Sequence, residues 1–459
     1  MTAPHRIAIV GAGASGTLVA IRLLERARHL GGAGLDLRLV DDAEATGRGV
    51  AYATDDPRHR LNVPSGRMSA HPGDPHHFAE WLAARQGGAP QPDAYAARGP
   101  YGQYLDETLA LAAAQAGNGR LNRVRDRAVS VAGDNDGVRI GLGSGAVLEA
   151  DAAVLALGNL PPRPGWAPPE LRDSSRYIRD PWAAGALSGV PADGDVLLVG
   201  TGLTMVDVAL TLARSGRVVH AVSRHGLLPH RQSDRPTAPV APPPMEPRRG
   251  LTALRRSMLR HVSAVRRSQG DWRPGIDGLR SVTAQLWREL PAPDRERFLA
   301  EDLRLWEVHR HRLAPASAAA LDEAVGAGRV AVGRATVEQA ADGPDALRVR
   351  LSDGRELKVA AVVDCTGAGT DYRRATDPLI RSLLATGLAR PGRHGLGLAT
   401  AEDGRLVPAD SATPAPLWTL GSPRRGELWE TTAVPEIRAQ AALLADTLTR
   451  LPVRLPAGA

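Results

Sequence analysis

Ile7-Ala8-Ile9-Val10-Gly11-Ala12-Gly13-Ala14-Ser15-Gly16 sets an apolar run directly against a glycine pattern of the form G-x-G-x-x-G. Helix-forming residues follow to about residue 28, then a glycine-rich loop at 31–34, then a second apolar run over 35–41 that closes on Asp41. The spacing predicts a β-α-β unit with strand 6–10, helix 15–28 and strand 35–41. The first glycines permit the tight turn and the third lets the helix pack close to the strand. A pyrophosphate would then rest on the free amides and positive dipole of the helix N-terminus.

The pattern recurs later in the chain. Val196-Leu197-Leu198-Val199 runs into Gly200-Thr201-Gly202-Leu203-Thr204, a helix is expected over 204–214, and the next strand, 218–222, closes on Ser223-Arg224. Met205 stands where the third glycine would fall, which predicts wider spacing between helix and strand. The two copies end in opposite charges: an acid suits a free ribose hydroxyl, whereas a base suits a 2′-phosphate. The expectation is FAD at the first turn and NADPH at the second.

The chain has 459 residues, enough for two or three domains. Hydrophobic content of 43% and charged content of 23% fit a soluble globular class. Aromatics are 3%, so Ala, Leu and Val must fill most of the core. The net charge of +7 comes almost wholly from scattered arginine, Lys358 being the only lysine. The densest stretch, Arg248-Arg249 through Arg255-Arg256 to Arg266-Arg267, has few aromatics to stack on bases and reads as a solvated helix face, not a nucleic-acid site. Cys365 is the only cysteine, which excludes a cysteine-pair reductase and a thiolate metal site. His309 and His311 have no further ligands at recognisable spacing, so no metal is expected. No run reaches the roughly 18 apolar residues of a membrane span, and residues 7–24 carry the glycine fingerprint in place of a secretory signature. A cytoplasmic location is expected.

Elsewhere the sequence supplies strand ends that stop at glycine. Strand 152–156 ends in Leu157-Gly158-Asn159, a hairpin-like run 347–351 turns at 352–355 and returns through 360–364 to Cys365-Thr366-Gly367, and strand 417–420 stops at Gly421-Ser422-Pro423. Gly158, Thr366, Gly367 and Gly421 are therefore expected to offer backbone at the carboxyl edge of parallel sheets, where ligands bind. The loop region 46–75, dense in Gly and Pro, is long for a connector and reads as functional. Residues 226–268 read as an irregular, proline-rich surface excursion. Helical pattern is expected at 276–290 and 294–304, and a closing helix begins near Val434-Pro435-Glu436.

These segments together resemble the two-dinucleotide-domain flavoproteins usually called FAD-NAD(P)-binding proteins, some of which are similar to flavin N-hydroxylating monooxygenases. The resemblance rests on 11–16, 47–52, 61–64 with Met68-Ser69, Phe78 with Trp81-Leu82, 155–162, 200–207, 223–229, 306–312, 364–367 and 421–440. It implies an α/β fold of two Rossmann-like dinucleotide-binding domains, the NADPH domain nested in the FAD domain, with a helical insertion. The expected boundaries are 1–185 and 356–459 for the FAD domain and 186–355 for the NADPH domain, with the insertion at about 240–315. It also implies that Gly11, Gly13, Ser15 and Gly16 hold the FAD pyrophosphate and Asp41 its ribose, that Asn62 lies near the isoalloxazine, and that Glu430-Thr431-Thr432 lie at its flavin end. NADPH would use Gly200, Gly202, Thr204 and Arg224. Arg60 departs from the apolar residue expected before Leu61.

The activity expected from this reading is an NADPH-dependent monooxygenase whose C4a-hydroperoxyflavin oxygenates a small amine, with O2 as co-substrate, in specialised metabolism. Arg310, Arg312 and Arg424 are candidate clamps for a carboxylate on that amine. The rivals are an NADPH-dependent flavin reductase or oxidase, and a flavin-binding redox partner without turnover. An oligomer is compatible with all three.

Overall fold

The computed structural model describes residues 4–29, 34–235, 237–410 and 414–451; residues 31–33 of the expected glycine-rich loop lie outside them. Strand β1 (His5–Val10), helix α1 (Ala14–Ala27) and strand β2 (Leu35–Asp41) form the first βαβ unit. The chain then passes through α2 (Arg98–Ala114) to β3 (Gly119–Arg125), and an antiparallel meander of β4 (Ala128–Asp134), β5 (Gly137–Leu142) and β6 (Val147–Ala150) leads into β7 (Ala152–Leu155). Next come β8 (Tyr177–Ile178), β9 (Val196–Val199), α3 (Leu203–Leu212) and β10 (Val219–Ser223). A helical layer follows: α4 (Leu251–Gln269), α5 (Arg273–Leu279), α6 (Thr283–Glu289), α7 (Ala292–Arg297), a π-helical turn (Phe298–Asp302) and α8 (Leu303–Arg310). Helix α9 (Pro315–Gly326) leads to β11 (Val330–Arg334), a second meander of β12 (Val337–Asp342), β13 (Leu347–Leu351) and β14 (Glu356–Val359), then β15 (Ala361–Asp364). Strand β16 (Leu417–Thr419) and helix α10 (Val434–Leu448) close the fold.

Two parallel five-stranded sheets result, in the orders β16-β7-β1-β2-β3 and β11-β10-β9-β15-β8. Their central strands β7, β9 and β15 are buried at every residue, the pattern of parallel strands covered on both faces. In the first sheet α1 and α10 cover one face, with Leu18, Ile21, Ala441 and Leu444 in a common core. The meander β4-β5-β6 covers the other through Val131, Ile140 and Leu148. The second sheet repeats the plan, with α3 and α9 on one face and β12-β13-β14 on the other. The fold is two Rossmann-like units, the second inserted between strands of the first. Its sheet takes strands from as early as residue 177 and as late as residue 364.

Three local readings are corrected. Residues 251–268 are not irregular: Leu251, Leu254, Met258, Val262 and Val265 recur at helical spacing and turn inward along α4, while Arg256, Arg260, Arg266 and Arg267 face outward. The return of the hairpin stops at Val359. Backbone from Ala361 leaves β13 and pairs in parallel with β9, Val363 opposite Leu198, because a strand buried at every residue belongs at a sheet centre. The π-helical turn also divides the helix expected at 294–304. No helix among the described residues is long and apolar enough to cross a membrane.

Both glycine turns approach main chain directly. Gly11 has φ +98° and Gly200 φ +110°; a Cβ would overlap the Ala156 carbonyl oxygen at the first and the Cys365 carbonyl oxygen at the second. Each turn is thus pressed against the carboxyl end of the neighbouring parallel strand. Gly200→Ala is expected to cost about 1–3 kcal/mol from the left-handed backbone alone, lowering the thermal midpoint by several degrees. Gly73→Ala, where a Cβ meets open space, is expected to stay within about 0.5 kcal/mol of wild type.

Candidate active site

The first glycine turn is a bare cradle. Helix α1 begins after Gly13 with no side-chain cap and no acid in its first turn, so its leading amides are left for an anion. Gly47 donates its N–H to the carbonyl of Ala12 at 2.8 Å, which docks the loop at 47–49 on the turn. Asp41 accepts the Ala12 N–H at 2.5 Å and the Ala43 N–H at 2.8 Å, fixing the end of β2 beside Gly13. Helix α3 repeats the arrangement after Gly202, again uncapped and without a first-turn acid, with Thr204 half-exposed in its first turn. Met205 is fully buried in the second core, so packing absorbs the missing glycine. Arg224, at the end of β10, is exposed and makes no ion pair among the described residues.

Arg304 belongs to this second turn although sequence offered no sign of it. From α8 it donates to the carbonyls of Thr201 at 3.0 Å and Leu227 at 2.8 Å. An arginine in an arginine-rich helix carries no periodic signal; only the packing of the helical layer brings it there.

The strand ends converge as their glycines suggested. Gly158 and Gly367 both have positive φ, and the two crossings between the sheets pair where Gly369 N–H donates to Leu160 O at 3.0 Å. Thr366 is fastened to the buried Asp364, whose carboxylate also takes the Trp166 indole and the Tyr177 hydroxyl, each at 3.0 Å. Gly421 follows β16 beside Ser15; its N–H reaches Gln440 at 3.1 Å, and its carbonyl accepts from Thr431 at 3.1 Å. Asn159 accepts from Ser422 at 2.5 Å.

Between the two turns and the helical layer lies a cavity of about 360 Å3. Asn62, Val63, Pro64 and Arg67 form its wall from the first half, Leu203 comes from α3, and Glu430, Thr431 and Thr432 precede α10. Arg60, just outside, reaches the Tyr95 carbonyl at 3.0 Å, so a polar residue suits that position. Four ion pairs line the cavity: Arg310–Glu430 at 2.8 Å, Arg312–Asp277 at 2.6 Å, Arg425–Glu307 at 3.7 Å, and the bidentate Arg280–Glu436. Burial, then the surrounding guanidiniums led by Arg310 and Arg425, push the His311 imidazole down to about 3, so it is neutral at any physiological pH. The His309 Nδ1–H instead donates to Leu305 O at 2.8 Å, and among the described residues no group of three His, Cys, Asp or Glu could hold a metal ion.

Of the three arginines expected to clamp a carboxylate, Arg310 and Arg312 line the cavity, each already held by an acid. Arg424 does not line it: its guanidinium reaches back to the carbonyls of Ala401 and Glu402 and to Thr400. The next residue, Arg425, faces the cavity in its place. Three buried polar atoms of cavity residues have no hydrogen-bond partner: Arg425 Nε, Trp306 Nε1 and Glu430 Oε1. Buried polar atoms are rarely left so; these three lie within the cavity wall, beneath its accessible surface. Trp429 sets the geometry of Glu430. Its backbone (φ 62°, ψ −69°) is a γ-turn of the rare strained kind, closed by Glu430 N–H to Leu428 O at 2.8 Å. Its ring stacks on Trp287 at 4.6 Å.

Residues 8–160 match the model of the FAD-NAD(P)-binding family. No curated protein matches the chain. Among solved structures, ornithine N-hydroxylase from Kutzneria sp. 744 is 14% identical over 97% of this chain and 99% of its own, with a TM-score of 0.64. Ornithine hydroxylase from Pseudomonas aeruginosa is 16% identical over 97% and 98%, at 0.63. Bacillithiol disulfide reductase from Staphylococcus aureus is 13% identical over 98% of each chain, at 0.54. These similarities establish the shared two-domain fold, which by those names serves both hydroxylation and disulfide reduction.

Asp277→Ala would strand Arg312, only 1% exposed at its side chain and otherwise held by Gln232 and the His309 carbonyl. Removing one partner of such a pair is expected to cost about 3–5 kcal/mol, read as a lower denaturant midpoint, with Asp277→Asn intermediate.

Proposed function

We propose that this protein is an NADPH-dependent flavoprotein monooxygenase that oxygenates the nitrogen of a small amine or amino acid. The observation that carries the reading is the cavity walled by both glycine-turn halves, with the charged groups of Arg310, Arg425 and Glu430 on its lining. FAD in the first cradle would supply the ring that activates O2, and NADPH in the second would supply the reducing equivalents. The uncapped amides of α1 suit one pyrophosphate and Asp41 its ribose, while those of α3 suit the other, with Arg304 beside them. Arg224, exposed and unpaired, suits a 2′-phosphate.

Within the cavity, the Glu430 carboxylate would accept an N–H of the amine, and the Arg425 guanidinium would donate to the substrate's carboxylate. Charged hydrogen bonds in a dry site hold a short substrate in one orientation. The four ion pairs fix these groups beforehand, so little reorganisation accompanies binding. The neutral His311 adds no charge to the pocket. Cys365, the only cysteine, is buried behind β15, which supports oxygenation over disulfide reduction.

The test is coupled turnover against a panel of diamines and amino acids. NADPH oxidation should rise with the accepted amine and yield hydroxylamine in equal amount; hydrogen peroxide with unchanged amine would overturn the reading in favour of an oxidase. Arg224→Ala should raise KM for NADPH by roughly tenfold or more, the loss of one charged hydrogen bond, and leave KM for NADH unchanged.

A further inference from the structure

A buried polar cluster lies away from the cavity, where the first half of the fold meets α3. Arg98, the first residue of α2, pairs with Asp207 of α3 at 2.7 Å, and both side chains are largely buried. His59 packs beside them, its Nε2 2.9 Å from the Thr211 hydroxyl and 3.2 Å from the Asp207 carbonyl. Thr211 donates onward to Asp56 at 2.7 Å, and Arg58 donates to the Leu210 carbonyl at 2.7 Å. Donor directions are consistent throughout. Because the Thr211 hydrogen goes to Asp56, His59 Nε2 must carry the proton given to Thr211, and its Nδ1 then accepts from Thr54 at 2.7 Å. Burial lowers the His59 pKa, the direction that favours this neutral tautomer. Burial also raises the Asp207 carboxyl despite Arg98, a costly placement for a group that serves only packing.

The contacts Arg98–Asp207, His59–Thr211, Thr211–Asp56 and Arg58–Leu210 all run between residues 54–98 of the first half and residues 207–211 of α3. Asp207 lies five residues past Gly202, about 7–8 Å along the helix from the bare amides of the second turn. The cluster therefore holds the second nucleotide turn at a set position against the half that carries the first.

We infer that Arg98 is a positioning residue for hydride delivery: by gripping Asp207 it fixes α3 so that a dinucleotide on the second turn presents its nicotinamide to the flavin in one register. This inference rests on the NADPH-flavin reading above. In the step it serves, NADPH releases a hydride with both electrons and becomes NADP+, and the oxidised flavin takes that hydride.

The test compares wild type with Arg98→Ala, Arg98→Lys and Asp207→Asn as purified holoproteins. Flavin content, the dissociation constant for NADP+, the anaerobic rate of flavin reduction at saturating NADPH, and amide exchange over residues 54–60 and 203–212 are measured. In Arg98→Ala and Asp207→Asn, flavin content and NADP+ affinity should stay near wild type, the limiting reduction rate should fall by roughly tenfold or more as expected for a misplacement near 1 Å, and both segments should exchange faster. Arg98→Lys should recover part of the rate, and it stands in should the alanine variant not fold. Limiting rates within twofold of wild type in all three variants would overturn the inference. If wild-type flavin is not reduced by NADPH at all, the NADPH reading fails instead, and unchanged exchange in the variants would then dispose of the latch as well.

Discussion

At two places in this molecule there is no room for a side chain between a turn and a strand. The Ala156 carbonyl abuts Gly11 and the Cys365 carbonyl abuts Gly200, each across the carboxyl end of a parallel sheet. This approach decides where the rest can go. It starts α1 and α3 with uncapped amides facing outward, sets β7 and β15 as central strands, and makes the stretches after them the crossings between the halves. Since both sheets are parallel, all their carboxyl ends face their own glycine turn, and the cavity forms where the two edges meet.

The cavity shows why buried ion pairs should be judged by what they leave over. Each of its four pairs gains little net stability once desolvation is counted. Together they immobilise eight charged side chains around a small volume, so that Arg425 Nε, Trp306 Nε1 and Glu430 Oε1 stay unmatched by geometry, not by chance mobility. The γ-turn at Trp429 belongs to the same design: strain of this kind persists only where the surroundings over-determine it, here through the Trp287 stack and the Arg425 guanidinium 4.7 Å from the ring.

Much of the scaffold was legible because its signals are local. An apolar strand, a glycine turn and a helix lie within about thirty residues, and β16 and α10 declare themselves by composition and a proline start. The helical layer was harder. Arginines interleaved with Leu251, Leu254 and Met258 hid the period of α4, and the apolar strand β15 reads as a hairpin return until its partner β9 is known. Site residues divide the same way. Asn62, Glu430 and Thr431 lie on recognisable segments and do line the cavity, whereas Arg304 is placed only by tertiary packing, and Trp306, Arg425 and Gln440, though on such segments, gain a role only from it. Arg424 and Arg425 illustrate the limit: adjacent and chemically identical, they face different ways because Arg424 ends a 3-10 turn and Arg425 begins the next helical turn, about 100° further round.

The carbonyl that closes the second turn belongs to Cys365, whose thiol is sealed in the core of the second sheet and pushed by burial well above its ordinary pKa. Such a sulfur forms almost no thiolate, and thiolate is the species that oxidants attack. A chain whose single cysteine is shielded in this way has no exposed thiol to be converted stepwise to sulfenic and sulfinic acids. Its chemical lifetime in the presence of peroxide is therefore set by its methionines and by whatever it binds, not by its cysteine.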